Sequence, residues 1–195
     1  MCFGRSPLLL ARWAEFSAFA DTIFRSHVGN MPNVSAQIYD NEVNAGQFAF
    51  SARVHQALGE YRLELFDESA SRGWPLVRHT AMQFPAVLQE QISTSQFCLG
   101  SDVVVAPVMS PDATTVSVFL PNIDDGPWMF VAGAGQVAVS ADACVRNKTA
   151  SGSWCTVPVR QPGAGTVAPF FFRNQTKSAG VLNFVKWLLA EPQAS

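Results

Sequence analysis

The sequence predicts an α/β plus all-β fold, in which a helix–strand–helix segment precedes an antiparallel β-sandwich. Up to about residue 74 the apolar residues recur with a helical period, and beyond it they form short runs separated by Pro, Gly and Asp. Hydrophobic residues make up 48% of the 195 residues and charged residues only 14%, so the chain can bury a core. We therefore expect two structural parts, residues 1–74 and 75–195.

The first part begins with a predicted helix at about Pro7, since proline suits the first turn of a helix. Its apolar face is expected to contain Leu9, Trp13, Phe16 and Ala20. A short strand is predicted at Thr22–Arg25. A single strand between two helices cannot close a core, because it needs neighbouring strands. We therefore expect further polypeptide upstream.

A second helix is predicted roughly from Glu42 to Ser69, with Asp40 or Asn41 as its cap and Gly73 after its end. Its expected apolar stripe contains Phe50, Val54, Ala57, Tyr61 and Leu65.

Seven short strands are predicted in the second part, and their number and frequent turns favour an antiparallel sandwich. They are Leu76–Phe84, Asp102–Val108, Thr115–Leu120, Trp128–Val131, Gln136–Val139, Trp154–Val159 and Val167–Arg173. The residues from Val103 to Ala106 are all apolar, as in a strand buried on both faces. The stretch from Val181 to Leu189 is compatible with a helix or an edge strand.

Composition excludes several classes of partner and cofactor. The net charge of −2 gives no electrostatic basis for binding nucleic acid or an anionic membrane. No apolar run approaches the roughly 20 residues that span a bilayer. No two histidines have a metal-ligating spacing, and Gly133-Ala134-Gly135 is too short to cradle a phosphate. We therefore expect no nucleic acid, no membrane, no metal and no cofactor.

Cysteines and glycosylation sequons leave the cellular compartment open. Cys144 and Cys155 have ten residues between them, most of them polar, which allows either a disulfide across a hairpin or two unpaired thiols. Three N-x-S/T sequons, at Asn33, Asn147 and Asn174, are compatible with secretion but also occur by chance.

The loop after the first predicted strand contains the most suggestive polar residues. Arg25 and His27 could hydrogen-bond sugar hydroxyls, or Arg25 could pair with a carboxylate while His27 caps a turn. The polar group comprises Arg25, His27, Asn30, Gln37, Tyr39 and Asp40. The other histidines suggest structural positions, His55 on a helix surface and His79 in a strand.

Hydrolysis of a glycosidic bond needs two carboxyl groups facing each other across that bond. Most Asp and Glu residues of this chain lie on predicted helix faces or in turns, and no pair is marked as catalytic by its position. A G-x-S-x-G nucleophile elbow is also absent from the sequence. The residues by themselves therefore mark no catalytic residue in this chain.

Several sequence strings, taken in order, resemble those of glycoside hydrolase family 31. They are Arg12–Phe19 (RWAEFSAF), Phe24–His27 (FRSH), Ala57–Arg62 (ALGEYR), Gly73–Arg78 (GWPLVR), Gln96–Val108 (QFCLGSDVVVAPV) and Val118–Pro121 (VFLP) with Trp128. The resemblance covers about residues 5 to 130 and becomes weaker after Trp128.

The resemblance implies that residues 1–74 are the last helix–strand–helix part of a catalytic (β/α)8 barrel. Residues 75–195 would then be the proximal C-terminal β-sandwich of a retaining α-glycosidase. His27 matches the histidine that binds a hydroxyl of the −1 sugar, and Arg25 matches its neighbour at the strand end. The family's nucleophile and acid are aspartates on earlier barrel strands, so the resemblance implies that this chain needs an upstream barrel half.

The resemblance allows more than one class of substrate. The residues from His27 to Pro32, followed by Gln37, Tyr39 and Asp40, are similar to the sulfoquinovosidase branch of the family. Val28 departs from the glutamate usual in that branch, so an α-glucosidase or α-xylosidase is an alternative.

A second hypothesis belongs to another class of protein, a non-catalytic carbohydrate-binding or structural β-sandwich. In that case Trp74, Trp128 or Trp154 would form a platform for sugar stacking, whereas the alternative for each tryptophan is packing in the core.

Overall fold

The computed structural model describes residues 4–20, 31–87, 95–124, 126–163 and 165–192, and contains five α-helices and nine strands in these ranges. The α-helices are α1 (Pro7–Phe19), α2 (Glu42–Ala57), α3 (Gly59–Arg72), α4 (Thr80–Gln83) and α5 (Ala179–Ala190). The strands are β1 (Val77–Arg78), β2 (Phe97–Leu99), β3 (Val103–Val105), β4 (Thr115–Pro121), β5 (Trp128–Val131), β6 (Val139–Ser140), β7 (Val145–Lys148), β8 (Gly152–Pro158) and β9 (Phe170–Arg173). Three 3-10 helices span Pro32–Val34, Pro85–Val87 and Ala141–Cys144.

The strands form two antiparallel sheets. The larger sheet has six strands in the order β1-β2-β3-β9-β5-β6, and the smaller has three in the order β4-β8-β7. Every strand pair is antiparallel, because the connections bring neighbouring strands back alongside each other. The predicted combination of helices with antiparallel sheets is confirmed.

Two apolar cores lie on opposite faces of the six-stranded sheet. The helix-side core packs α1, α2, α3 and α5 against that sheet, and the sheet-side core joins it to the three-stranded sheet. Successive residues of β9 point to opposite faces, so Phe170 and Phe172 enter the helix-side core and Phe171 the sheet-side core. The predicted burial of β3 on both faces is confirmed, since all three of its valines are inaccessible to solvent.

Helix α1 begins as predicted but presents a different face to the core. Ser6 caps it by accepting a hydrogen bond from the Leu9 amide, and Pro7 occupies its first turn. The predicted stripe is wrong, because Leu9, Trp13 and Phe16 are 53%, 44% and 38% exposed. The buried residues are instead Leu10, Ala14, Glu15, Ser17, Ala18 and Phe19. Period alone could not choose between two apolar faces, and the small residues of the second one allow α2 to pack closely.

The single helix predicted at 42–69 is divided at Leu58, where φ is −80° and ψ is 1°. Asn41 caps α2 and Gly73 ends α3 with a φ of +73°, as predicted. The predicted stripe is largely correct, since its members apart from Ala57 are buried: Phe50, Val54, Tyr61 and Leu65.

Most predicted strands are present, with shorter bounds. The strand predicted at Leu76–Phe84 is wrong beyond Arg78, because His79 caps α4 with Nδ1 accepting the Ala81 amide at 3.2 Å. A structural role for His79 is thus confirmed. Only Val139 of the run predicted at Gln136–Val139 is in a strand, and β2 and β7 were not predicted.

The stretch whose type was open, Val181–Leu189, belongs to helix α5, capped by Ser178. In the ranges that the structure describes, no helix combines the length and the apolarity needed to cross a bilayer.

A disulfide joins Cys144 to Cys155, whose Cα atoms are 5.0 Å apart. This is one of the two states that the sequence allowed. It links the 3-10 helix before β7 to the middle of β8, so that the hairpin of β7 and β8 is closed covalently.

Two buried polar side chains connect separate layers of the fold. The Tyr61 hydroxyl donates to the Leu99 carbonyl at 3.0 Å and accepts from the Asp102 amide at 3.2 Å, joining α3 to the turn between β2 and β3. Gly100 in that turn has a φ of +58°, and a Cβ there would collide with the Tyr61 hydroxyl. The Gln96 side chain accepts from the Phe119 amide at 2.8 Å and donates to its carbonyl at 2.9 Å. One glutamine thus pairs with β4 of the smaller sheet as a backbone peptide would.

The Arg78 guanidinium is fully buried next to the boundary near residue 74. It donates to the Pro75 carbonyl at 2.6 Å, to the Gln83 side chain and to the Glu68 carboxylate, and it lies 4.8 Å from the Trp74 ring centroid. A buried charge is tolerated only where hydrogen bonds and an opposite charge replace water. Arg78 therefore fixes the end of α3 against β1 and α4.

The Glu15 carboxylate is buried where α1, α2 and the segment before β9 meet. Arg12 Nη1 pairs with it at 2.8 Å, and the Thr166 hydroxyl donates to it at 2.9 Å. Gln47 Nε2 is 3.5 Å from the same carboxylate. Burial raises the pKa of Glu15 above its ordinary value, although Arg12 and Thr166 act in the opposite direction.

The substitution Arg78→Met is expected to lower the free energy of unfolding by about 3–5 kcal/mol, because Glu68 loses its buried partner and three other groups each lose a contact. Arg72→Met is the matched control, since Arg72 pairs with the same Glu68 and stacks on the same Trp74 but is 60% exposed. We expect the control to lose less than about 1 kcal/mol. Urea unfolding measures both, and equal losses would contradict the assignment of Arg78 as the buried anchor.

Glu15→Gln is expected to become more stable relative to the unchanged chain as pH rises. A carboxyl whose pKa is raised by folding contributes stability below its unfolded pKa and loses that contribution as pH rises through its folded pKa. Glutamine does not titrate, so the unfolding free energy of the variant minus that of the unchanged chain should increase from about pH 4.5 upward. Urea unfolding of both proteins at several pH values measures it, and a constant or falling difference would show that Glu15 is not desolvated.

Candidate functional site

The two residues predicted to bind substrate, Arg25 and His27, lie in the stretch 21–30, outside the described residues, as does Asn30. The strand predicted at Thr22–Arg25 lies there as well. The structure does describe both flanks of this stretch. They show how the chain is held where it enters and leaves the candidate site.

The entry to the stretch is held by Arg62 of α3, whose side chain is buried. Its Nη2 donates to the carbonyls of Ala18 and Ala20 at 2.8 Å each, and its Nε to Ala20 at 3.1 Å. Its Nη1 donates to the His55 carbonyl at 2.6 Å. The C-terminal carbonyls of a helix have no partner within the helix and carry its negative end, so a guanidinium satisfies them well. Arg62 therefore closes the ends of α1 and α2 together.

The exit from the stretch is held by Arg5, which precedes α1. Its guanidinium donates to the Ala36 carbonyl at 2.6 and 2.9 Å and to Gln37 Oε1 at 3.0 Å. The Ala36 amide donates to the Arg5 carbonyl at 2.7 Å. These contacts tie residues 35–37 to the start of α1. The two arginines thus position both ends of the segment that contains Arg25 and His27.

Two of the loop's polar residues, Gln37 and Asp40, hydrogen-bond to each other within the loop. Gln37 is 5% exposed, and its amide donates to Asp40 Oδ2 at 2.7 Å. Asn44 Nδ2 donates to the Gln37 carbonyl at 2.9 Å, which attaches the loop to the start of α2. Tyr39 is 74% exposed, and its ring is available for contact with another molecule.

An open cleft of about 540 Å³ lies between the N-terminal segment and this loop. Its lining includes Gly4, Arg5, Ser6, Asn33, Ser35 and Asp40. Asp40 supplies the one carboxylate among the described residues of the lining. Glycoside hydrolysis needs two carboxyl groups, so the described part of this cleft lacks the pair that the reaction requires.

Two carboxyls with raised pKa values have structural contacts. Glu15 belongs to the network described above. Burial raises the pKa of Asp102, partly offset by Arg173, whose guanidinium is 3.7 Å from the carboxylate, and by Thr176. The two carboxyls have no partner in common. Their raised pKa values follow from burial in separate parts of the fold, and neither lines the cleft.

Two further kinds of reactive group are a buried thiol and the side chains that can ligate a metal. Burial raises the pKa of the free thiol of Cys98 to about 12, so that the thiol stays protonated and unreactive. Within the described ranges, no group of three or more His, Cys, Asp or Glu side chains could hold a metal ion.

The three tryptophans considered as sugar platforms have partners in the protein. Trp128 is 4% exposed, and its indole N–H donates to the Pro121 carbonyl at 2.8 Å, so this ring belongs to the core. The guanidiniums of Arg72 and Arg78 stack on the Trp74 ring. The Trp154 ring packs edge-on against the Phe119 ring, with 5.3 Å between the ring centroids.

Sequence reasoning missed the two arginines that position the site. Arg62 falls in the ALGEYR string, but the string does not show that the side chain turns back to α1, 42 positions earlier in the sequence. Arg5 stands just before the Ser6 cap, and no sequence feature indicates its partners at residues 36 and 37.

Comparisons with known proteins identify relatives of this chain. A sulfoquinovosidase from Agrobacterium fabrum is 31% identical over 125 residues, which are 64% of this chain and 18% of that protein. A sulfoquinovosidase from Escherichia coli is 31% identical over 118 residues, 60% of this chain and 17% of that protein. Human neutral alpha-glucosidase C is 29% identical over 117 residues, 60% of this chain and 13% of that protein. The chain thus spans at most 18% of the length of these three relatives.

Solved structures share the fold. A family 31 sulfoquinovosidase from E. rectale, in complex with an aza-sugar inhibitor, matches with a TM-score of 0.67 and 24% identity. The match covers 94% of this chain and 24% of that one. A family 31 α-xylosidase from a soil metagenome, complexed with xylose, matches with a TM-score of 0.62 and 16% identity, over 94% of this chain and 28% of that one.

The family assignment rests on a sequence model of one domain. Residues 73–176 match the glycosyl hydrolase family 31 C-terminal domain, which is more than half of the chain. The match begins at Gly73, where α3 ends. The chain therefore belongs to glycoside hydrolase family 31, a family of hydrolases of carbohydrate metabolism.

Proposed function

We propose that the chain is the C-terminal part of a retaining α-glycosidase that hydrolyses O-glycosyl bonds. The match of residues 73–176 to the family's C-terminal domain carries this proposal, because α1, α2 and α3 precede that domain and pack on its sheet. Residues 1–74 would form the last helix–strand–helix part of a (β/α)8 barrel, and residues 75–195 the proximal C-terminal β-sandwich.

The packing supports this division. The three helices before Gly73 bury their apolar faces against the six-stranded sheet, and Tyr61 fixes their position through the turn between β2 and β3. The second apolar core lies between the two sheets and contains no helix α1, α2 or α3 residue among those described. The role of the β part is therefore to support the helices that hold the segment with Arg25 and His27.

In this proposal the reaction needs groups that these 195 residues do not supply. A retaining glycosidase uses one carboxylate as nucleophile to form a glycosyl-enzyme and a second carboxyl as acid and base. Both would be aspartates of an upstream barrel half. His27 would donate or accept a hydrogen bond at a hydroxyl of the −1 sugar, with Arg25 at the same strand end. Arg62 and Arg5 would hold that segment by its two flanks.

The exposed face of α1 supports the need for an upstream half. Leu9, Trp13 and Phe16 line an apolar depression together with Pro107, Val108 and Met109, and Met109 is 74% exposed. Contiguous apolar surface of this kind is typical of a protein interface. The relatives are more than five times longer than the part of them that this chain matches, so preceding polypeptide is the proposed occupant.

The proposed substrates are α-glucosides or sulfoquinovosides. The curated relatives include sulfoquinovosidases and a neutral α-glucosidase, and the sulfoquinovosidase-like string from His27 to Pro32 supports the sulfosugar. Val28 in that string keeps the α-glucoside in the proposal. All of these relatives are glycosidases, so the alternative of a non-catalytic sugar-binding or structural module is not favoured.

The purified 195-residue chain is expected to show no turnover of aryl α-glucosides or aryl α-sulfoquinovosides, because the two catalytic carboxyls are absent from it. Release of the aryl group is followed by absorbance and compared with a mock preparation from the same host. Reproducible turnover above the mock preparation would contradict the proposal.

In the complete enzyme, whose upstream coding sequence is obtained by 5′ extension of the transcript, His27→Ala is expected to lower kcat/KM roughly 10- to 100-fold. A lost hydrogen bond to a sugar hydroxyl costs about 1–3 kcal/mol. His79→Ala is the matched control, since His79 caps α4 and is not part of the cleft lining, and its kcat/KM should stay unchanged. Equal effects of the two substitutions on kcat/KM would contradict the proposal that His27 binds the sugar.

A further inference from the structure

The hairpin of β7 and β8 presents an exposed polar edge. In the three-stranded sheet β7 is an outer strand, and among the described strands it pairs only with β8. Its residues Arg146, Asn147 and Lys148 are exposed. An unpaired strand edge can pair with another chain, and proteins commonly protect such edges with charges or a covering group.

Asn147 begins one of the three sequons, Asn147-Lys148-Thr149, and is exposed on β7. The middle residue is not proline, as N-glycosylation requires. The Asn147 side chain makes no hydrogen bond to any described residue. The Thr149 hydroxyl stays within the same turn, 3.3 Å from the Ser151 hydroxyl and from the Gly152 carbonyl.

The disulfide supplies a second, independent observation about the same hairpin. Cys144 and Cys155 enclose the sequon, and the bond between them joins the start of β7 to the middle of β8. Disulfides form in oxidising environments, which include the lumen of the endoplasmic reticulum. Sequons on surface loops are used in proteins that pass through the same secretory route.

In the other two sequons the hydroxyl residue is more constrained by the fold. At Asn33 the sequon's serine, Ser35, accepts a hydrogen bond from the Arg5 amide at 3.3 Å, beside the candidate cleft. At Asn174 the sequon's threonine, Thr176, is buried with 9% of its surface exposed, whereas Thr149 is half-buried. Asn147 is therefore the position at which a glycan would disturb the folded chain least.

We propose that Asn147 is an N-glycosylation site. The donor is an oligosaccharide joined through a diphosphate to a polyprenyl lipid. A bond forms between the Asn147 side-chain nitrogen and the anomeric carbon of the first sugar, and the bond from that carbon to the diphosphate oxygen breaks. The lipid diphosphate leaves with the bonding electrons, and the amide nitrogen loses one proton to a base.

The glycan would lie over the free edge of β7. Arg146 and Lys148 flank it on the same strand, so a bulky neutral group would cover the edge that these charges already protect. This site is independent of the proposed glycosidase function, because it needs only the folded hairpin and its passage through the secretory route.

The test begins with the protein from the cells that produce it. It is digested without reduction, and the peptides are analysed by mass spectrometry before and after treatment with peptide-N-glycosidase. We expect the Cys144–Cys155 bond intact, a sugar mass on the peptide with Asn147, and conversion of Asn147 to aspartate when the glycan is released.

Recombinant variants in a eukaryotic secretory host identify the sequon. Asn147→Gln and Thr149→Ala should each lose the glycan, whereas Thr149→Ser, the matched control, should keep it because serine preserves the sequon. An unmodified Asn147 in protein whose disulfide is oxidised would overturn the proposal. Free thiols at both cysteines in the protein from its own cells would overturn it as well.

Discussion

The packing of the helices and the two sheets depends on one pair of strands, β3 and β9, which is buried on both faces at the centre of the six-stranded sheet. Because Phe170 and Phe172 point to the helices while Phe171 points to the smaller sheet, one strand contributes to both cores. Buried apolar area supplies most of the driving force for such a structure. Apolar contact has no direction, however, so it brings the layers together without fixing how each helix sits on the sheet.

Buried polar side chains supply the direction that apolar packing lacks. Tyr61, Gln96, Arg62 and Arg78 are each at least nine-tenths buried, and each hydrogen-bonds to a backbone or side-chain group of another element. A buried donor without its partner costs about 1–3 kcal/mol, so each contact disfavours any other placement of the two elements it joins. All four residues belong to the strings that resemble the family, and their contacts give a physical reason for those residue types.

The sequence predicted those parts of the fold that local pattern determines. A capping serine and a first-turn proline locate the start of α1, and Gly73 locates the end of α3, because cap chemistry is local. The apolar face of α1 was wrongly predicted, since both of its faces are apolar and only the position of α2 selects one. Strand β2 was missed for a related reason, because three residues give too short a pattern and pairing with β3 decides it. Arg25 and His27 stay predictions.

The family can be identified from this chain, whereas the proposed catalytic carboxyls would lie in an upstream half. Tyr61 and Arg62, in one of the family-like strings, hold helices in place through contacts to backbone groups, a role that does not involve a sugar. Arg62 and Arg5 donate hydrogen bonds to backbone carbonyls on either side of the candidate segment, and they would do so whatever side chains that segment carried. In the proposed enzyme, substrate choice and catalysis would depend on the side chains in that segment and on the polypeptide that packs against Leu9, Trp13 and Phe16. A frame that binds backbone leaves those side chains free to differ among relatives that act on glucosides, xylosides or sulfosugars.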